Sequence, residues 1–497
     1  MKASQGVVAA LATLVAAGGF AREPNMRGTS VWSLPEYTLY SHDKYFARQV
    51  IADVGPIEGV LAKVLNHEAA PTGLPTYIFI VRGAVWKRYV QPGTNIDAEF
   101  VPARFANYLL LNTQIDSAWT RIALYHEYTH LFLHTQFHDA FPLWFDEGMA
   151  ELISATWFED GVATIGLPND GSLEETWFPL ERLLRIDKKS REYLSSNTFG
   201  VHRESWAMVH RGFVAEPKFG AQILEYIKAV NDSVPIDDAV QASFGMSTPE
   251  LERQIRPYCS LGQYQIGKIP FEKGKPLRAG EGRPVSEFEA LEMLARVMFD
   301  TGFNPSRLTE VIAAAEKVAP DSAEVRVLKL RLAVRDRDDA ALQKQLDALE
   351  PSTGDAHVAR GAGLALFERV GEARVKDSLS AEQITELQRR SLDLLDRSLR
   401  AAPHDAEAAW AFATLAAASK HRLDTALMRL ELARQDVPMN ADLAQATALV
   451  LEEKQMPGQM IPLLQDTARY SRSVPQRAWA KRRIEEITLS MKKAAVQ

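Results

Sequence analysis

The residues 126–130, HEYTH, place two histidines four positions apart, with a glutamate directly after the first. On an α-helix, residues four apart share one face, so both imidazoles can approach a single ion. Glu127 lies one position round the helix, where its carboxylate can reach a water at an open coordination position. Imidazole and carboxylate ligands with one open position are typical of hydrolytic zinc sites, so Zn²⁺ is the predicted cofactor.

The third ligand must come from outside this motif, and two residues compete for the role. His134 continues the four-residue spacing, but it lies about 12 Å along a helix from His126. One ion cannot easily bind both unless the helix breaks. Glu147 is the better candidate, because it lies in the apolar segment PLWFDEGMAELI, far enough along the chain for a turn and a return helix. Glu151 shares its helical face and could fix a ligating imidazole through a hydrogen bond.

The two motifs HEYTH and WFDEGMAE resemble those of the gluzincin metallopeptidases, the relatives of thermolysin. Within that group, the chain most resembles the bacterial peptidase-MA-like proteins, in which helical repeats often follow the catalytic domain. The resemblance covers residues 74–258. Carried over by position, it implies the following roles: zinc ligands His126, His130 and Glu147, general base Glu127, and supporting carboxylate Glu151.

The resemblance also implies a tyrosine or histidine that stabilises the oxyanion. His202, which precedes a Ser-Trp pair in FGVHRESWAMVH, is the first candidate, and Tyr193 is the alternative. A third reading of His202 is an ordinary histidine near the start of a helix. His134 and His138 are expected to be polar positions near the end of the HEYTH helix, where a positive charge suits the helix dipole.

Short apolar runs predict the strands that must support this site. The runs Leu74–Gly83 and Ala103–Asn112 are rich in β-forming residues, and the segment QPGTNIDAEFVP between them is loop-like. The strand at Phe105–Leu111 could pair with an extended substrate, as the strand of a gluzincin does. From Ser117 the apolar spacing becomes helical, and residues 196–258 are also predicted to be helical. The fold class predicted for this part is α+β.

Composition divides the chain into four segments. Residues 1–21 read as a cleaved signal peptide, with Lys2, a short apolar run and small residues at the cleavage position. The protein is therefore predicted to be exported to the periplasm or secreted; a buried N-terminal helix is the alternative. Residues 22–262 form the α+β metallopeptidase domain, and residues 263–285 are a linker rich in Gly, Pro and Lys. Residues 286–497 form an all-α domain.

The all-α domain contains a recurring turn element, in which a helix ends, a proline opens a turn, and an acidic or amide residue caps the next helix. The element recurs near Pro320, Pro351, Pro403 and Pro438. The intervals are 31, 52 and 35 residues, which predicts an insertion in one unit near VKDSLSAEQITELQ. A period in the thirties resembles tetratricopeptide repeats, which bind protein partners or pack on their own enzyme domain. A non-repetitive helical bundle is the alternative.

Charge and cysteine content narrow the class of function. The 497 residues include 24% charged residues and carry a formal net charge of -7, which gives no reason to expect nucleic acid as a partner. The single cysteine, Cys259, excludes an intrachain disulfide. No stretch after the signal is apolar enough for a stable membrane span.

The sequence therefore predicts a zinc metallopeptidase that acts on a polypeptide substrate. Two other readings stay open. In the first, the protein is a non-catalytic envelope scaffold whose repeats bind partners and whose zinc holds the neighbouring domain together. In the second, the same chemistry hydrolyses a bond other than a peptide bond.

Overall fold

The computed structural model describes residues 24–70, 73–90, 97–113, 117–137, 140–168, 178–193, 198–259, 263–271, 280–376 and 379–496. The predicted signal peptide and His138 lie outside these ranges. The chain is a mixed α+β protein with many C-terminal helices. None of the helices in the described ranges combines the length and apolar character that a bilayer crossing needs.

A six-stranded mixed sheet lies at the centre of the N-terminal part, in the order β4-β5-β3-β2-β1-β9. β2 and β5 flank β3 in parallel, whereas β4, β1 and β9 pair antiparallel with their neighbours. The strands are β1 Ser30–Ser33, β2 Thr38–Ser41, β3 Thr76–Val81, β4 Ala98–Pro102, β5 Asn107–Asn112 and β9 Arg283–Pro284. A second, antiparallel sheet contains β6 Trp157–Glu159, β7 Val162–Ile165 and β8 Gly267–Pro270.

Strand β4 corrects the sequence prediction, since it lies in the segment expected to be a loop. The correction affects which strand forms the sheet edge. β5, which contains most of the run predicted to bind substrate, is paired with β3 on one side and β4 on the other. An interior strand has no free hydrogen-bonding groups for an added strand, so β5 cannot play that role. The edge at this end of the sheet is β4.

The longer helices of the N-terminal part lie where helices were predicted, except for the first, at residues 44–64, which was not predicted from the sequence. They are α1 Lys44–Val64, α2 Ser117–Gln136, α3 Leu143–Ser154, α4 Thr198–His210, α5 Pro217–Asn231, α6 Ile236–Phe244 and α7 Thr248–Cys259. α2 packs on α1, on α3 and on strands β4 and β5, and α3 packs on α4. α2 is therefore fixed between the sheet edge and α3.

The C-terminal part consists of antiparallel helices that stack on one another. They are α8 Glu287–Thr301, α9 Leu308–Val318, α10 Ala323–Asp336, α11 Asp339–Leu349, α12 Ala356–Lys376, α13 Ala381–Ala401, α14 Ala406–Ser419, α15 Leu423–Asp436, α16 Ala441–Glu453, α17 Pro457–Tyr470 and α18 Val474–Val496. Sequential helices pack together, and α10, α12, α14 and α16 also contact one another in series. Contacts between alternate helices are typical of a solenoid.

The long interval between two repeat turns comes from longer helices. α12 and α13 each have 21 residues, whereas α14 and α15 each have 14. Polar side chains cap the helices after the turns, as predicted: Asp405 caps α14 and Asn440 caps α16. At the first turn, however, the cap is the hydroxyl of Ser322.

The two parts of the chain share a core through the central sheet. Ile78, Ile80 and Leu109 pack on the side of α1 and α2. Phe79 and Leu110 point to the other face and pack on α8, α9 and α10. Burial on both faces explains why the strand sequences are almost continuously apolar. The stretch 263–285, predicted as a linker, supplies β8 and β9 to the two sheets.

A buried carboxyl group, Glu204 on α4, gives the fold a pH dependence. It accepts a hydrogen bond from the Phe178 backbone N–H, and its second oxygen has no partner in the described part of the chain. Burial raises the pKa of Glu204 to about 9, and the charge of Glu252 adds to that effect. The folded protein therefore keeps a proton here that the unfolded chain loses above pH 4.5.

We expect the free energy of unfolding to fall as pH rises from about 5 to 8, since the folded state binds more protons in this window. The contribution of Glu204 is on the order of 3 kcal/mol. Glu204→Gln should remove it and be more stable than wild type at pH 8, whereas Gln at the exposed Glu225 should change nothing. Thermal unfolding from pH 5 to 9 measures the stability of both proteins. If the stability of wild type and of Glu204→Gln changed with pH in parallel, Glu204 would not cause the pH dependence.

Candidate metal centre

Helix α2 brings His126 and His130 together beneath the sheet edge. The two imidazole rings lie 4.9 Å apart between centroids, and their Nε2 atoms are 3.2 Å apart. His130 is buried, with 6% of its surface exposed. His126 is half-buried, and two imidazole nitrogens that face each other with little access to water are unfavourable unless an ion or proton lies between them. The arrangement therefore suits a shared cation.

Helix α3 supplies the carboxylate that faces both imidazoles. Glu147 is 2% exposed, and its Oε2 lies 3.4 Å from Nε2 of His126 and 3.6 Å from Nε2 of His130. The next residue, Gly148, explains how α3 approaches α4 so closely. A Cβ at Gly148 would lie 2.3 Å from the Ser205 carbonyl oxygen of α4, so only glycine allows this contact.

The separations of these three ligand atoms fit a small tetrahedral ion. Metal–ligand bonds of 2.0–2.1 Å at tetrahedral angles place ligand atoms about 3.3 Å apart. The three distances between Nε2 of His126, Nε2 of His130 and Oε2 of Glu147 are 3.2, 3.4 and 3.6 Å. The donor set of two imidazoles and one carboxylate is also one that zinc accepts. The residues predicted as ligands are thus brought together, and they fit the ion.

A second group of possible ligands shares His126. It consists of His126, Glu151 and His202, whose ligand atoms also lie within 4.8 Å of one another. Oε1 of Glu151 lies 2.9 Å from Nδ1 of His202 and 3.6 Å from Nδ1 of His126. The sequence predicted a hydrogen bond from a ligating imidazole to Glu151. The separation of 3.6 Å from His126 is beyond hydrogen-bond distance, whereas the 2.9 Å separation from His202 is within it.

Asp146 is the residue at this centre that sequence reasoning missed. Its Oδ1 lies 2.9 Å from Nδ1 of His130, and its Oδ2 lies 3.1 Å from Nε2 of His134. A carboxylate that accepts from Nδ1 leaves Nε2 unprotonated and free to bind a metal. Although burial alone would raise the pKa of Asp146, its contacts with the two histidines hold it well below the usual range. His134 contacts the centre through Asp146 and belongs to neither group of possible ligands.

Replacing Asp146 with Asn should weaken zinc binding by roughly 10- to 100-fold, because the imidazole of His130 loses its anionic acceptor. Competition with a chromophoric chelator measures the affinity. Asn at the exposed Asp232, at the end of α5, is the matched control. Equal affinities for the Asp146→Asn protein and this control would show that Asp146 does not orient a ligand.

Glu127 lies between α2 and strand β4. Its Oε2 accepts a hydrogen bond of 2.6 Å from the Phe100 backbone N–H. This hydrogen bond fixes the carboxylate against the sheet edge, and Oε1 is the oxygen that could accept a proton. Glu99, next to Phe100 on β4, adds a carboxyl group on this strand. Burial, with the charge of Glu127, raises the pKa of Glu99 to about 7.

The two candidates for oxyanion stabilisation lie on the α3 side of the centre. The Tyr193 hydroxyl donates to Oε1 of Glu147 at 2.7 Å, and burial raises the pKa of Tyr193 well above its usual value. The His202 ring stacks 5.9 Å from that of His126 and 6.3 Å from that of Tyr193. Burial lowers the pKa of His202, but the contacts with Glu151 and Glu147 outweigh it and the net shift is upward. Both side chains thus stay candidates.

No protein-family model matches this chain, and no curated protein is significantly similar to it.

Proposed function

We propose that the protein is a zinc-dependent hydrolase of peptide bonds, of the gluzincin type. The observation that carries the proposal is the convergence of two imidazoles and one carboxylate at separations of 3.2–3.6 Å. Glu127 follows His126 on the same helix. His126, His130 and Glu147 would hold the ion. When bound, zinc makes a water molecule more acidic and polarises a carbonyl group.

Side chains of the protein then accept the proton of the water and pass it on. Glu127 is positioned by the Phe100 N–H, so one oxygen is fixed and the other can accept a proton and later pass it to the leaving amine. Tyr193 and His202 are the groups that can donate to a negatively charged oxygen, a contact that typically contributes about 3 kcal/mol. The Tyr193 hydroxyl would have to leave Glu147 to do so.

A peptide is the substrate class that the sheet edge supports best. The described residues on the outer side of β4 form no strand, so backbone groups of β4 can pair with an extended peptide, except at the Phe100 N–H, which donates to Glu127, and at Pro102, which has no N–H. Such a peptide would pass directly over Glu127, because β4 donates to it. This edge favours a peptide over the other hydrolysable bonds that the same chemistry could cleave.

The scaffold reading differs from this proposal in one chemical respect. A purely structural zinc site is closed by a fourth protein ligand, usually cysteine. The group His126, His130 and Glu147 offers three ligand atoms, and the only cysteine of the chain lies elsewhere in sequence, at position 259. A site with three ligands and an adjacent carboxylate supports catalysis. The helical repeats can still bind a protein partner.

Removal of the metal tests the proposal. We expect one zinc per chain by elemental analysis and cleavage of unfolded casein that a chelator abolishes and added zinc restores. An untreated sample diluted in parallel is the control. Stoichiometric zinc without cleavage of casein or of a peptide library would favour the scaffold, and absence of zinc would overturn the metal site itself.

Export is proposed on the sequence of residues 1–21 alone. The expected mature chain begins after Ala21, which N-terminal sequencing of the protein recovered from the periplasm or medium would test.

A further inference from the structure

The turn between β4 and β5 lies against the helical repeats. The Ala103 N–H donates to the Ala106 carbonyl at 2.9 Å, which leaves Arg104 and Phe105 at the tip of this hairpin. Phe105 is 8% exposed and belongs to the hydrophobic core that α12 to α16 form. The tip of the hairpin is therefore docked in the repeats through an apolar side chain.

One tryptophan of the repeats contacts both residues at the tip. The Trp410 ring of α14 lies 5.4 Å from the Phe105 ring, between centroids, and its centroid lies 4.3 Å from the guanidinium carbon of Arg104. A cation at this distance is attracted to the face of an indole ring. Nε of Arg104 also lies 3.6 Å from Oδ2 of Asp442 on α16. Within the repeats, the Phe367 ring of α12 packs 4.9 Å from the Trp410 ring and holds it in place.

Strand β4 connects this hairpin tip with the metal centre. Phe100 packs in the core that contains α2 and α3, whereas the next residue, Val101, packs on the core of α8, α9 and α10. The Phe100 N–H donates to Glu127 at 2.6 Å, and the Phe100 ring lies 5.6 Å from the His134 ring. Arg104 follows Phe100 by four residues, which is roughly 13 Å along an extended strand. The contact with the repeats is thus one short segment of chain away from the proposed base.

β4 needs such a contact because it is an edge strand. Within the described ranges it pairs with one strand, β5, and its other side is the open edge of the sheet. A strand that is held by one ladder of hydrogen bonds is displaced more easily than an interior strand. The open edge and the Phe100 N–H belong to the same strand, so a displacement of β4 would move the peptide-binding groups and the contact with Glu127 together.

We propose that the helical repeats position the strand that binds the substrate, with Trp410 as the positioning residue. The inference rests on the proposed peptidase function. Trp410 acts through the hairpin: its ring holds Arg104 and Phe105, the hairpin holds β4, and β4 aligns an extended peptide with the metal centre. A misplacement of about 1 Å can cost roughly 100-fold in activity, so a contact far from the metal affects the reaction. The repeats are then part of the enzyme, whether or not they also bind a partner.

Trp410→Ala in the full, zinc-loaded chain tests this inference with a series of fluorogenic peptides of increasing length. In wild type, KM should fall as the peptides become long enough to pair with β4. Trp410→Ala should lose most of that gain, with a KM for the long peptides roughly 10-fold above wild type and with kcat and zinc content close to wild type. Trp410→Phe, which keeps a ring against Phe105 and Arg104, should restore most of the gain. Arg104→Ala, which removes an exposed side chain and leaves the repeat core intact, should raise the same KM by a smaller factor.

The matched control is Trp479→Ala. Trp479 is also a half-buried tryptophan of the repeats, but it packs in the core of α16, α17 and α18, so its replacement should keep the wild-type gain with length. If Trp410→Ala keeps that gain, if Trp479→Ala loses it equally, or if wild type shows no gain, the repeats do not position β4 for the substrate, although the enzyme is a peptidase.

Hydrogen–deuterium exchange of residues 98–102 gives a readout without turnover. Exchange should be faster in Trp410→Ala than in wild type and unchanged in Trp479→Ala, and equal exchange in the two variants would overturn the inference. Failure of the proposed function is a separate result. If wild type cleaves none of the peptides, the peptidase proposal fails and the inference with it.

Discussion

The Glu127→Gln protein is expected to bind zinc as wild type does and to cleave peptides roughly 10²- to 10⁴-fold more slowly, the usual contribution of a general base. Glutamine keeps an oxygen that can accept the Phe100 N–H bond. The substitution therefore removes the charge and the proton-accepting oxygen while the contact with β4 is retained. Initial rates with a fluorogenic peptide, together with zinc content, measure both parts of the expectation.

The control for this variant is Glu159→Gln, at an exposed position on β6. It has the same change in charge and should cleave at the wild-type rate. If Glu127→Gln were as active as this control, Glu127 would not be the base. Glu99, whose raised pKa makes it the other proton-accepting carboxyl group near the site, would then be the next residue to replace.

The parts of the site that follow from local spacing were predictable from the sequence. His126 and His130 face one ion because an α-helix repeats nearly every four residues. Glu147 was predicted because it lies in an apolar segment far enough along the chain for a turn and a return helix, and because the WFDEGMAE motif resembles that of gluzincins. The structure places its carboxylate 3.4 and 3.6 Å from the two imidazoles. The helix period decides the geometry of the two histidines, and the packing of α3 on α2 decides that of Glu147.

The role of Asp146 could not be predicted in this way. Asp146 and Glu151 lie on the same helix, and both are acidic residues near Glu147. Which imidazole nitrogen each one meets depends on the rotation of α3 against α2, and that rotation is set by contacts with α4 such as the one at Gly148. The one available signal was an aspartate beside the predicted ligand in a segment that is otherwise apolar.

Strand β4 and the shared core could not be predicted from local sequence, because both form through contacts between residues far apart in the chain. The segment AEFVP mixes polar and apolar residues after a loop-like stretch, and it becomes a strand only because β5 offers it a partner. The continuous apolar run in β3 was predicted as a strand, and burial on both faces is the reason for its composition. It could not indicate that the covering helices come from residues 287–336, on the other side of the predicted linker.

The largest effect on metal binding is expected for Glu147→Ala, which removes the one carboxylate in the described ranges that lies within 4.0 Å of both His126 and His130. Two imidazoles alone bind zinc far more weakly than three ligands, so the purified variant should contain almost none. Tyr193 would also lose the acceptor of its hydroxyl. Elemental analysis measures the zinc, and circular dichroism checks that the chain is folded.

Glu151→Ala is the matched variant, because it removes a carboxylate from the same helix and separates the two possible metal groups. If zinc binds to His126, His130 and Glu147, the Glu151→Ala protein should keep its zinc. If it binds to His126, Glu151 and His202, the Glu151→Ala protein should lose zinc while Glu147→Ala keeps it. The first group is expected to bind the ion because its ligand separations match a tetrahedral site and Asp146 fixes one of its imidazoles. In that arrangement His202 is free to contact the substrate.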